Sequence, residues 1–187
     1  MDSFLFCMIL VFAIALGGRD QLVVARLSDA LGQSPPLMIV AVVTSVTVAA
    51  GMAYLGATMA AILPARAQNM LVAFALGIAA FELAWPVKLR KIDEPTRSMG
   101  AIGTVLLFRQ FGDAARFVVF AFAAAATYPL TAMIGGSLGG IAGVALGWMM
   151  GREALDKLPL LIIRRMFALC LGIAAVVIGL NARFSIL

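Results

Sequence analysis

Six apolar runs divide this chain of 187 residues, and each is long enough to cross a membrane. At about 1.5 Å of rise per residue, roughly 20 apolar residues span a hydrocarbon core of about 30 Å. Segments that contain proline or glycine separate the runs, as expected of connections between helices. We therefore predict an all-α membrane protein with six transmembrane helices. The runs cover residues 3–27, 36–63, 69–87, 99–126, 130–150 and 160–180.

Residues 4–16 alone resemble the apolar core of a signal peptide. No Lys or Arg side chain precedes them, however, and the chain is apolar again from Leu22 onwards, which favours a membrane span.

The composition argues against a soluble enzyme. Hydrophobic residues make up 64% of the chain and charged residues 12%, compared with about half and about a quarter in ordinary globular domains. Histidine is absent, so the commonest metal ligand and general base is missing. Because no metal-ligand cluster and no serine-based dyad is visible either, we do not expect an enzyme.

The basic residues predict the orientation in the membrane. They exceed the acidic residues by 14 to 9, but they lie mostly between the apolar runs, so we interpret them as topology signals and expect no nucleic-acid partner. Only Arg66 and Arg183 lie on one side. Those on the other side are Arg26, Lys88, Arg90, Lys91, Arg97, Arg152 and Lys157. The positive-inside rule then places loop 88–98 in the cytoplasm and both termini outside, in what we expect to be a bacterial inner membrane. We expect Arg164 and Arg165 to extend to the same cytoplasmic surface.

An internal repeat organises the chain. The segment LGIAA of residues 76–80 recurs at 171–175, an offset of 95, and Leu-Pro of 63–64 recurs at 158–159 with the same offset. Residues 1–87 and 99–187 are thus predicted to be two copies of a three-helix unit, joined by the basic linker 88–98. Because three is odd, the copies are inverted in the membrane. Inverted repeats are common in secondary transporters, whose substrate site lies at the repeat interface.

Charged residues inside the spans concentrate at equivalent places, 15–21 and 109–116. Such residues cost several kcal/mol in lipid and are functional by default. Gly17, Gly18 and Gly112 weaken each helix at that place, which frees backbone carbonyls for an ion.

The spacing of three residues in the fourth run predicts ion pairing. Arg109 and Asp113 are i,i+4 neighbours and Asp113 and Arg116 are i,i+3 neighbours, so a continuous helix would place one carboxylate between two guanidinium groups. Both a structural ion pair and a functional site fit this pattern.

These two segments resemble the twin signature E-x-G-D-[KR]-[ST] of the GDT family, which includes Golgi manganese and calcium exchangers and bacterial manganese exporters. The resemblance covers essentially the whole chain. In the second copy, Gly112 and Asp113 match, Gln110 replaces the glutamate, and Ala114 and Ala115 replace the basic and hydroxyl residues. The first copy has Ala15 for the glutamate, a matching Gly17, Gly18 for the aspartate, Arg19 as the basic residue and Asp20 in the hydroxyl position.

The resemblance implies a secondary transporter that exchanges manganese or calcium for protons by alternating access. Its ion or proton carboxylates would be Asp113 and Asp20, with Gln110 and Gln21 as neutral oxygen ligands, and the metal ligands would be Asp113, Asp20 and Gln110. Gly17, Gly18 and Gly112 would break the helices. The charge-pairing residues would be Arg19, Arg109 and Arg116. Beyond the transported cation, protons and membrane lipid, no cofactor is expected.

Two alternatives stay open because three arginines stand against two aspartates. One is a transporter whose substrate has become anionic. The other is a degenerate family member that no longer transports and acts as a membrane partner or regulator.

Four other polar residues have two interpretations each. Glu82 reaches the membrane interface, or it supports the site from behind the ion ligands or as a proton relay. Thr44, Ser45 and Ser137 add oxygen ligands or bond neighbouring helices. The glycines of the fifth run, spaced by four, predict close helix packing.

Overall fold

The computed structural model describes residues 2–85 and 98–184, which form α-helices and no strand. The prediction of an all-α protein is confirmed. Most of the predicted linker 88–98 lies outside the described residues. The helices are α1 Asp2–Ala15, α2 Arg19–Leu31, α3 Pro35–Ala61, α4 Ala65–Ala84, α5 Met99–Phe111, α6 Ala114–Ala125, α7 Pro129–Leu155 and α8 Leu160–Phe184.

Four described helices, α3, α4, α7 and α8, are long and apolar enough to cross a membrane. The pair α1 and α2 is bent by 58° and counts as a fifth candidate if it forms one broken span. Helices α5 and α6 are apolar but short, with 13 and 12 residues. The described residues therefore contain four or five candidate spans, as expected of an integral membrane protein.

Two of the predicted runs are each divided into two helices. Run 3–27 is interrupted between Ala15 and Arg19, and run 99–126 between Phe111 and Ala114. The first interruption follows from the backbone of Gly17, whose φ of 74° lies in the left-handed region that residues with a Cβ avoid. A single continuous helix over either run is therefore wrong.

Helices α3 and α7 are the longest, with 27 residues each, and they pack against each other. Both begin with proline, whose fixed φ suits the first helical position. Helices α1 and α2 pack on α7, while α5 and α6 pack on α3, so each broken pair lies against the long helix of the other half. Helix α4 packs against α6 and α8.

Glycines allow the closest of these approaches. Gly135 and Gly139 of α7 face the backbone of α1 at Phe4 and Met8, so closely that a Cβ would collide with the carbonyl oxygens there. Gly56 of α3 faces the Phe120 carbonyl of α6 in the same way. The prediction that the glycines of α7 serve close packing is confirmed at these positions.

Candidate functional site

Hydrogen bonds from two backbone amides and from the Gln21 side chain stabilise the first helix break. The Gly18 amide donates to the Ala15 carbonyl at 2.9 Å, and the Gly17 amide donates to Gln21 Oε1 at 2.7 Å. The Gln21 amide nitrogen, Nε2, donates to the Gly143 carbonyl of α7 at 3.1 Å. The Gln21 side chain thus links the helix break to α7 by hydrogen bonds. Its oxygen, which is predicted to be an ion ligand, accepts a hydrogen bond from the Gly17 amide.

The second break lies at Gly112 and Asp113. Asp113 is the N-cap residue of α6, but its side chain makes no capping hydrogen bond. The helix that would have placed Arg109 beside Asp113 ends at Phe111. Arg109 is exposed and has no ion pair within the described part of the chain, so the predicted pairing of Arg109 with Asp113 is wrong.

Arg116 joins the two breaks. This fully buried side chain lies in the first turn of α6, with Nη2 3.9 Å from Asp20 Oδ2 and donating to Ser45 Oγ at 2.8 Å. The other carboxylate oxygen of Asp20 accepts the Gln21 backbone amide at 2.8 Å. A Cβ on Gly140 of α7 would lie only 2.7 Å from Arg116 Nη1, so the absence of a side chain at Gly140 makes room for the guanidinium.

Several buried polar atoms at this place have no hydrogen-bond partner. They are both carboxylate oxygens of Asp113, both amide atoms of Gln110, and Nε and Nη1 of Arg116. Asp113 is 1% exposed and Gln110 is fully buried. Most buried polar atoms in proteins are paired with protein or with ordered water. Unpaired atoms concentrated beside two helix breaks indicate a place that receives water, a proton or an ion.

A second ion cluster, formed by Arg19, Glu82 and Arg164, contacts the first helix break. Arg164 at the start of α8 donates from Nη1 to the Gly17 carbonyl and from Nη2 to the Glu82 carbonyl, both at 3.1 Å, and Nη2 lies 3.4 Å from the Glu82 carboxylate. Arg19 Nε lies 3.1 Å from Glu82 Oε1, which is one of the two carboxylate oxygens that Arg164 Nη2 approaches at 3.4 Å. The Arg19 side chain is 39% exposed and is the most exposed of the three.

The prediction that Arg164 extends to the surface is wrong, since its side chain is 4% exposed. Glu82 is buried as well, so its interpretation as a residue at the membrane interface is wrong, while its supporting role behind the ion ligands stays a prediction. The physical reason is that the break at Gly17 exposes a carbonyl, which the neighbouring guanidinium satisfies. Arg164 lies near the end of an apolar run, where an arginine usually reaches the interface, so the sequence alone offers no signal for its burial.

The three hydroxyl residues among the predicted ligands, Thr44, Ser45 and Ser137, are all buried. Thr44 donates to the carbonyls of Val40 and Ala41 in its own helix, at 2.9 and 3.1 Å, so its oxygen serves α3. Ser45 holds Arg116. Ser137 is buried on α7.

The net charge of the buried centre differs from the excess of arginines over aspartates that the sequence predicts. Asp113 lies within electrostatic range of Asp20, Glu82, Arg116 and Arg164. Arg19 pairs with Glu82, and Arg109 is exposed and does not belong to the centre. The centre therefore contains three acids and three arginines and is formally neutral instead of positive. The acids are Asp20, Glu82 and Asp113, and the arginines are Arg19, Arg116 and Arg164. In the described residues, no group of three or more His, Cys, Asp or Glu side chains could hold a metal. The metal ligand set of Asp113, Asp20 and Gln110 therefore stays a prediction.

No protein-family model, curated protein sequence or solved structure matches the chain. The class of protein thus follows from the fold and the site alone. The chain is an all-helical protein with four or five candidate membrane spans in the described residues, and it carries a buried charged centre at two helix breaks.

Proposed function

We propose that the protein is a secondary transporter that exchanges a divalent cation, manganese or calcium, for protons by alternating access. In this proposal residues 1–87 and 99–187 are inverted repeats with six spans, of which α1 with α2 and α5 with α6 are the broken first spans. The order of the helices supports it, since a broken pair, a helix of 27 residues and a further long helix occur twice. Broken helices that meet at the repeat interface are typical of secondary transporters.

The observation that carries the proposal is the state of Asp113. Its carboxylate is buried and both oxygens lack a hydrogen-bond donor. A buried charge without a partner costs several kcal/mol, so the group is stabilised by either a proton or a cation. Because the two cannot occupy the same oxygens together, binding of one releases the other, which is the requirement for exchange.

Two residues supply further oxygen ligands in this proposal. Gln110, three residues before Asp113, has a buried and unpaired Oε1, and the Asp20 carboxylate lies within electrostatic range of Asp113. Manganese and calcium both prefer such oxygens. The site would form from both halves, since Asp20 belongs to the first break and Asp113 to the second. This arrangement supports membership of the GDT family, with a reduced set of acids.

The proposed location is the bacterial inner membrane, with residues 88–98 in the cytoplasm and both termini outside. The Lys and Arg distribution supports this orientation.

One observation favours a second candidate, the transport of an anion. Arg116 Nε and Nη1 are buried donors without acceptors, and they lie in the first turn of α6, where the helix dipole is positive. In this candidate an anion occupies the space beside Arg116, and Asp113 carries only the proton.

Reconstitution into liposomes tests these functions. Purified protein is sealed into vesicles with an internal pH dye and a manganese-sensitive probe, and gradients of Mn²⁺, Ca²⁺ or phosphate are imposed in separate arms. The proposal predicts manganese or calcium uptake with opposite proton movement, above the level of protein-free vesicles. Proton movement driven by phosphate alone favours the anion candidate. Vesicles with folded protein and no flux in any arm contradict transport and favour a role as membrane partner or regulator.

A further inference from the structure

Arg116 occupies the point where the two long helices cross. Ser45 of α3 accepts its hydrogen bond, and Gly140 of α7 lies against both residues, so close that a Cβ there would be 2.7 Å from both Arg116 Nη1 and Ser45 Oγ. Ser45 is the eleventh residue of α3 and Gly140 is the twelfth residue of α7. If the halves are inverted repeats, the two residues are within one position of equivalence, and their contact lies close to the pseudo-two-fold axis.

The offset of the sequence repeat, 95 residues, relates Arg116 to Gln21. Gln21 lies against Gly143 and Gly147 of α7 and is neutral, with its amide nitrogen and oxygen both hydrogen-bonded. Arg116, in contrast, brings a full positive charge to the equivalent place in the second half. The guanidinium lies 3.9 Å from the acid of the first break, Asp20, and within electrostatic range of the acid of the second, Asp113. In an inverted repeat, the substrate site lies at such an interface of the two halves.

We propose that Arg116 is a tethered cation that fills the cation site, so that a transported cation must displace its guanidinium from the acids. This inference rests on the proposed exchange function and assigns the residue that sets its affinity and selectivity. Arginine and a free cation compete because both are attracted to the same carboxylates, Asp20 and Asp113.

The contacts of the Arg116 guanidinium are those of a group that a cation can displace from the carboxylates. Structural arginine–carboxylate pairs are commonly bidentate, with hydrogen bonds of about 2.7 to 2.9 Å. Here the nearest nitrogen of Arg116 is 3.9 Å from Asp20, the Asp113 oxygens accept no hydrogen bond, and Nε and Nη1 donate none. The single hydrogen bond that fixes the guanidinium goes to a neutral hydroxyl, that of Ser45. Displacement of the guanidinium thus breaks one hydrogen bond to an uncharged acceptor and one ion contact of 3.9 Å, and no hydrogen bond to a carboxylate.

The test measures cation binding to purified protein by isothermal titration calorimetry, with Mn²⁺ alone as the probe and Na⁺ as a separate arm. The variants are Arg116→Gln, which installs the residue found at the equivalent position, Arg116→Gln combined with Asp113→Asn, and Ser45→Ala. Arg109→Gln is the matched control, because it removes an exposed arginine next to the same break. Circular dichroism and gel filtration check the fold of each variant.

We expect Arg116→Gln to bind Mn²⁺ at least about tenfold more tightly than wild type, because a positive charge a few ångströms from the cation is gone. Adding Asp113→Asn should abolish the gain. Ser45→Ala should tighten binding about threefold, because the guanidinium is less firmly held. Unchanged affinity in folded Arg116→Gln, or an equal gain in Arg109→Gln, overturns the inference. If Arg116→Gln does not fold, unchanged affinity in Ser45→Ala overturns it.

The two proposals fail separately. If Arg116→Gln gains binding while wild-type vesicles show no exchange, the tethered-cation inference holds and the exchange function is wrong. If wild-type vesicles exchange manganese for protons but neither Arg116→Gln nor Ser45→Ala changes affinity, exchange stands and the tethered cation is wrong.

Discussion

Arg116 and Asp20 lie 3.9 Å apart across the two helix breaks, although 96 positions separate them in the chain. Both side chains are almost fully buried, and they come from different halves of the protein. A buried pair of this kind is costly to desolvate, and removal of one partner leaves the other charge uncompensated. The charged centre therefore couples the two halves, and its members are the residues to alter first.

Replacement of Glu82 by Gln should destabilise the fold. The change leaves Arg164 buried without its acid and removes the partner of Arg19, which costs about 3 to 5 kcal/mol in comparable buried pairs. The control is Asp156→Asn, which breaks an exposed i,i+4 pair with Arg152. Such pairs contribute about 0.3 to 0.5 kcal/mol. Thermal unfolding in detergent compares the two variants, and equal shifts in Tm would show that the Glu82 cluster is not a structural centre.

Replacement of two glycines of α3 by alanine should affect the stability of the fold differently. Gly56→Ala places a methyl group against the Phe120 carbonyl of α6, so the helices must separate, at a cost of about 1 to 3 kcal/mol. A methyl group at Gly51 would meet no atom within 4 Å, and Gly51→Ala should leave stability unchanged or raise it slightly. Denaturant titration of both variants measures the difference. Equal stability of the two variants would contradict the close approach of α3 and α6.

The left-handed backbone of the first break predicts a further difference. Gly17 and Gly32 have φ of 74° and 72°, so alanine at either position is strained by about 1 to 2 kcal/mol. At Gly17 the new Cβ also lies 3.0 Å from Leu160 Cβ of α8, whereas at Gly32 it meets nothing within 4 Å. We expect Gly17→Ala to lower the Tm more than Gly32→Ala does. The reverse order would mean that α8 does not pack on the break.

Reporter fusions distinguish six spans from five. Six spans place both termini on one side of the membrane, whereas five place them on opposite sides. With the orientation predicted from the basic residues, alkaline phosphatase after Leu187 or before Met1 should be active in a bacterial host, and green fluorescent protein at the same ends should be dark. A bright fluorescent fusion at one end only would rule out six spans.

Much of the helical pattern can be predicted from the sequence, because apolar length and proline positions are local properties. The starts of α7 at Pro129 and of α8 at Leu160 lie within one residue of the predicted run starts. Gly17 and Gly112 are also predicted as weak points, and the helices end beside them.

The ion pairs depend on contacts that no local pattern reports. The predicted partners of Asp113 are Arg109 and Arg116, on the assumption of one continuous helix, but the break turns Arg109 outward. Arg164, 147 positions from Gly17 in the chain, bonds the carbonyl that the first break exposes. Only the packing of α8 on the rest of the fold makes that contact, so spacing along the sequence cannot indicate it.

In the proposed exchange, Asp113 carries the proton that is released when the cation binds. Proton flux driven by a Mn²⁺ gradient, measured with a pH dye inside proteoliposomes, tests this role with wild type, Asp113→Asn and the exposed control Asp156→Asn. We expect Asp113→Asn, which cannot take up or release that proton, to lose at least about 90% of the coupled flux, since removal of an essential proton carrier costs tenfold or more. Asp156→Asn should match wild type. Wild-type flux in correctly folded Asp113→Asn would show that Asp113 does not carry the exchanged proton.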